Sequence, residues 1–98
     1  MAAIQQLKSS INPEFVMAYA IVNSLLRRPA VEQATGKSRA TIYRDIERGL
    51  MTKPVPIGGD RVAWPANEID AINKARISGK TDDQIKQLVI ELELARAV

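Results

Sequence analysis

Apolar residues change their spacing several times along the chain, and each change marks a new element. Residues 1–11 show little order. Residues 15–22 (FVMAYAIV) are an unbroken apolar run behind Asn12, a good N-cap, and Pro13, which suits a first helical position. Ile11 and Val16 fall at the two positions of a hydrophobic staple. A helix is therefore expected over residues 13–24, apolar nearly all round and buried on more than one side, with a strand as the alternative its β-branched content allows.

Leu25, Leu26 and Arg27 form a short extended candidate. Arg28 precedes a proline and is biased away from helical dihedrals, so Pro29 is expected to open a short helix through Thr35, with Val31 and Ala34 facing inward and Gly36 as C-cap. Ser38 then caps a helix over residues 39–48, closed by Gly49. At 3.6 residues per turn Ile42 and Ile46 point the same way, and Leu50 follows after the cap. Ala40, Arg44, Glu47 and Arg48 fall on the opposite side, with Thr41 and Tyr43 on the flanks. Two helices joined by about three residues make a helix-turn-helix layout.

The pattern then shortens. Residues 53–64 (KPVPIGGDRVAW) read as a hairpin: prolines confine the first arm to a sheet edge, Gly58-Gly59-Asp60 is turn chemistry, and residues 61–64 return. Trp64, at the strand end, is expected to pack in the core rather than stack on a base. Pro65 opens a helix carrying Ile69 and Ile72 on one face and ending near Ser78-Gly79. Thr81 and Gln84 match a capping box, and the last helix runs to about Ala97 with a stripe of Ile85, Leu88, Val89, Leu92 and Ala95. The expected fold is mainly α with a small β-hairpin wing: a winged helix-turn-helix with extra N- and C-terminal helices. It divides into residues 1–24, a DNA-binding segment 25–78 and a C-terminal amphipathic helix 79–98, forming one compact unit.

Composition narrows the function. The 98-residue chain contains neither cysteine nor histidine. Thiolate chemistry, the usual soft metal ligands and the commonest general base are thus missing, and neither enzyme activity nor a cofactor is expected. The run at residues 15–22 is far shorter than the roughly 20 residues a membrane span needs, and no basic region precedes it as in a signal sequence. A cytoplasmic, nucleoid-associated location is expected.

Charge is unevenly placed. The net charge is +3, but residues 27–61 hold eight bases (Arg27, Arg28, Lys37, Arg39, Arg44, Arg48, Lys53, Arg61) against four acids (Glu32, Asp45, Glu47, Asp60). The remainder of the chain is slightly acidic. The helix over 39–48 also opens on Lys37, Ser38 and Arg39, the reverse of what the helix dipole favours, and a docked phosphate would reverse that sign. Arg39 and Arg44 have the geometry to pair bidentately with guanine or phosphate. The hydroxyls of Thr41 and Tyr43 suit phosphate oxygens, though Tyr43 fits the edge of the core as well as a phosphate contact, and Ala40 lets the backbone come close. The candidate contact set is Lys37, Ser38, Arg39, Ala40, Thr41, Tyr43, Arg44 and Arg48, with Lys53 and Arg61 flanking the wing.

The segment LLRRPAVEQATGKSRATIYRDIERGLMTKPVPIGGDRVAWPANEIDAI resembles the AlpA family of phage and prophage regulators, small winged helix-turn-helix proteins related to MerR-type domains and phage excisionases. The matching pieces are Gly36-x-Ser38, Thr41-Ile42-Tyr43-Arg44, Gly49, Lys53-Pro54 and Val62-Ala63-Trp64-Pro65 followed by Glu68-Ile69-Asp70-Ala71. The resemblance covers residues 25–76, about half the chain, and implies DNA binding through the second helix and the wing, with a role in integrase transcription or prophage excision. Lys37 departs from it, standing where an apolar residue is usual. Three functions stay open: a sequence-specific DNA-binding regulator, an excisionase-type architectural factor, and a protein-interaction adaptor that has lost DNA binding. The expected partner is double-stranded DNA, with a possible homodimer through the N- or C-terminal helix and neither membrane nor small-molecule ligand indicated.

Overall fold

A computed structural model describes residues 24–97 of the protein. The elements run β1 (Leu25–Leu26), α1 (Arg28–Thr35), α2 (Arg39–Glu47), β2 (Val55–Gly58), β3 (Arg61–Pro65), α3 (Ala66–Ile77) and α4 (Asp82–Ala95). The helix expected over residues 13–24 lies outside the described residues, except that Ser24 forms a bend.

The hairpin gains a third strand. The antiparallel sheet has the order β1-β3-β2, with Leu25 opposite Pro65 and Leu26 opposite Trp64. The extended pair before α1 is thus the outer strand of the wing's own sheet, and the Ala66 amide donates to the Ser24 carbonyl at 2.7 Å. Proline-bearing β2 occupies the other edge, where a missing amide costs no ladder bond. Gly59, first of the two loop residues, has φ +57° while Asp60 keeps a negative φ, the pattern of a type II′ turn.

Helix α1 begins one residue earlier than the proline rule suggests: Arg27 is the N-cap, and its carbonyl accepts from both Ala30 and Val31. Pro29 is tolerated in this first turn because its missing N–H would have had no intrahelical partner. Ser38 caps α2 by accepting from the Thr41 amide at 3.3 Å. At the other end Gly49 (φ +76°) donates to Ile46 at 3.1 Å and Leu50 donates to Asp45 at 2.8 Å, a Schellman motif. The capping box of α4 is present in both directions between Thr81 and Gln84.

These caps aim the apolar faces at one core of Val31, Ile42, Leu50, Met51, Trp64, Ile69, Ile72, Ala75, Ile85 and Val89, with Leu26, Ile46, Leu88 and Leu92 packed against it. Trp64 is fully buried, as its position between wing and following helix suggested, and its Nε1 donates to the Thr52 carbonyl at 2.9 Å. The Thr52 hydroxyl is equally buried and has no hydrogen-bond partner among the described residues.

Two helix faces differ from the sequence reading. Ala34 is exposed, and Thr35, four residues after Val31, is the half-buried position instead. Ala95 is likewise exposed, because the position that continues the stripe after Leu92 is Arg96. The α4 stripe offered as a dimer seam is buried inside the domain through Ile85 and Val89, and only Ile90 and Leu94 present large apolar side chains outward from this helix.

Candidate nucleic-acid interface

The outward side of α2 is continuous. Ser38, Arg39, Ala40, Tyr43, Arg44, Glu47 and Arg48 are all exposed, while Ile42 and Asp45 are buried and Thr41 and Ile46 are intermediate. Arg48 is the C-cap rather than a helical residue, which still leaves it at the end of the same face. The first turn holds no acid, so no side chain of that turn offsets the positive end of the helix dipole.

Three side chains organise the face. The Tyr43 ring meets Trp64 edge-on, with centroids 6.3 Å apart and an interplanar angle of 67°. Arg39 lies over the other reach of that ring, its guanidinium carbon 5.9 Å from the centroid, a cation–π contact that steadies the arginine. Tyr43 is nonetheless 37% exposed, so core edge and accessible surface describe the same residue. The Ser38 hydroxyl also donates to Thr41 Oγ1 at 3.1 Å, which leaves the Thr41 proton for a further acceptor.

Lys37 is different from the rest of the candidate set. Its Nζ lies 2.5 Å from Asp45 Oδ2, and Asp45 is only 7% exposed. The Lys37 cation is matched by an acid on the inner side of α2. Asp45 follows Ile42 by three residues, so the helical wheel already places it inward.

The bases fall into paired and unpaired sets. Among the described residues Arg28, Lys37, Lys74, Arg76 and Arg96 are held by Glu32, Asp45, Asp70, Asp82 and Glu68 respectively. Those without an ion pair are Arg27, Arg39, Arg44, Arg48, Lys53, Arg61, Lys80 and Lys86, and the first six lie in the basic 27–61 block. Arg61 stands on the exposed start of β3, directly after the turn.

Lys53 sits at the root of the wing, and its backbone is fixed by α4 and its C-cap. Its amide donates to Glu93 Oε2 at 2.8 Å, and its carbonyl accepts from Arg96 Nη2 at 2.6 Å. Arg96 also pairs bidentately with Glu68, which together hold α3, α4 and the wing root in one register. The hydrogen bond to Glu68 raises the Arg96 pKa above its already high ordinary value, partly opposed by burial. None of Glu93, Arg96 and Lys86 stood out in the sequence. Lys86 reaches the end of α2, its Cγ lying 3.7 Å from where a Gly49 side chain would begin. With Lys53 it flanks a groove of about 270 Å³ that also takes in Ile46, Met51 and Ile90.

A short Pro-bearing helix, a Ser-capped basic helix closed by glycine and a small antiparallel sheet are compatible with a helix-turn-helix plus a hairpin wing. Residues 24–77 match the family model described as Prophage CP4-57 regulatory protein (AlpA). The chain belongs to that family of phage-associated regulators, and so to the DNA-binding transcription regulators built on a helix-turn-helix. No curated protein and no solved structure matches the chain significantly.

Proposed function

We propose that the protein is a sequence-specific regulator of a phage, prophage or related mobile element that reads double-stranded DNA with α2. The N-terminal half of α2 enters the major groove, where Arg39 and Arg44 reach base edges or phosphate. Ser38, Thr41 and Tyr43 position the helix against phosphate oxygens, Ala40 permits close approach, and Arg48, Lys53 and Arg61 extend the contact along the backbone toward the wing. The observation that carries this reading is a concentration of unpaired bases: among the described residues Arg39, Arg44 and Arg48 along α2 and its cap, and Lys53 and Arg61 at the wing, have no ion pair, whereas after the wing only Lys80 and Lys86 have none. Lys37 is the one candidate assigned a structural role, since its ammonium is engaged by Asp45.

Selection of bound sequences from a random duplex pool, followed by salt titration on the enriched site, tests the proposal. A single preferred sequence with affinity falling steeply as salt rises supports it. Weak, sequence-indifferent or salt-insensitive binding overturns it in favour of an interaction adaptor. An excisionase-type architectural role shares the same DNA contacts, and the bulged apolar tip of the wing favours it as the second reading.

A further inference from the structure

The wing contains a residue that neither packing nor charge explains. Pro56 pairs with Val62 and Gly58 pairs with Arg61, so β2 takes two steps while β3 takes one. Ile57 is the extra residue, unpaired in a β-bulge. In a regular ladder it would oppose Arg61 on the side of the sheet where Ala63 is buried; here it is 39% exposed. Bulges re-aim side chains and recur beside functional sites. Leaving a β-branched apolar side chain half in water beside a turn confers no stability.

Its surroundings are shaped for insertion. Gly58 and Gly59 follow, and a Cβ added to either would meet nothing within 4 Å, so the tip is thin and surrounded by open space. Pro54 and Pro56 stiffen the approaching arm. Arg61, free of any acid partner, stands across the hairpin, while Asp60 is the single acid at the turn. An apolar wedge with an adjacent arginine is the combination with which proteins enter the minor groove, unstack a base step and kink the duplex.

We propose that Ile57 is a wedge that inserts at a base step in the minor groove beside the α2 site, with Arg61 anchoring the wing to the groove, so that binding bends the DNA. This rests on the DNA-reading function of α2 and adds a deformation step to it. The probe is the duplex enriched by selection, labelled with a dye at each end for energy transfer and carrying 2-aminopurine at successive steps under the wing. The full-length protein is expected to shorten the end-to-end distance and to raise 2-aminopurine fluorescence at one step. Ile57→Ala is expected to abolish both signals while still protecting the α2 site from cleavage, and Ile57→Met is expected to restore them. Circular dichroism checks that the variants keep the wild-type fold, which is expected for an exposed position. A bend and an unstacked step that survive Ile57→Ala overturn the wedge, as does binding by the wild type without any bend; in both cases the α2 assignment stands. Failure of the wild type to bind any duplex overturns both.

Discussion

Arg96 reaches back 28 residues to grip Glu68 with two hydrogen bonds, Nε to Oε2 at 2.7 Å and Nη2 to Oε1 at 2.5 Å. Glu68 is 2% exposed, so its carboxylate depends on this partner. Arg96→Ala strands a buried charge and is expected to cost about 2–3 kcal/mol, below the range for a fully buried pair because the guanidinium retains some water. Urea denaturation followed through Trp64 fluorescence measures it. The raised Arg96 pKa means this contribution is complete below the unfolded value and is lost only as pH climbs through the folded one, so it stays constant across neutral pH.

Lys37 and Asp45 give a separable test of structure against contact. Lys37→Ala leaves Asp45 buried without a cation and is expected to destabilise the fold by about 1–3 kcal/mol. Its effect on DNA affinity, compared under conditions where both proteins are folded, is expected to stay small. A large loss of affinity with unchanged stability would return Lys37 to the contact surface.

Arg44→Ala should do the reverse. Arg44 is exposed and has no ion pair, so stability is expected to change by less than about 0.5 kcal/mol. Binding to the selected site is expected to weaken by about 1–3 kcal/mol. Relaxed sequence preference at one position would identify a base contact, and a shallower salt dependence with unchanged preference would identify a phosphate contact. Equal affinity of variant and wild type would remove Arg44 from the interface.

Thr52 offers a stabilising change. Its hydroxyl is buried without a hydrogen-bond partner among the described residues, while its carbonyl serves the Trp64 indole. Thr52→Val keeps the carbonyl and the shape, and is expected to raise stability by about 1 kcal/mol, read as a higher thermal midpoint.

At Gly49, φ +76° lies in the left-handed region, and a methyl group there would have room, with Lys86 Cγ at an ordinary 3.7 Å. The cost of Gly49→Ala is therefore conformational, about 1 kcal/mol, and Gly49→Asn is expected to cost less because asparagine tolerates that region better. A thermal melt of the three proteins gives the order.

What the sequence made legible was local. The Ser38 cap, the Gly49 stop, the Gly58-Gly59 turn and the Thr81 box each act over a few residues, and each is present. Ala34 and Ala95 were placed on the wrong side because i+3 and i+4 spacing both fit a short apolar stripe, and the packing partner chooses between them. The β1 pairing with β3 and the clamp of Glu93 and Arg96 on Lys53 join positions about 40 residues apart, which no local pattern encodes. At the interface, the arginines were legible as an unbalanced charge block; which of them an acid neutralises was not, since that depends on tertiary approach. The Ile57 bulge was hidden because a ladder slip leaves no mark on composition.

The two bonds that hold the Lys53 backbone come from a helix lying beyond the family segment. On the proposed reading, the spacing between the major-groove site and the wing's contact is therefore set partly by α4. Relatives with the same recognition helix but a different tail would carry the hairpin at another angle, and would demand a different number of base pairs between the major-groove site and the point of the bend. Operator length, as much as operator sequence, would then diverge with the C-terminus.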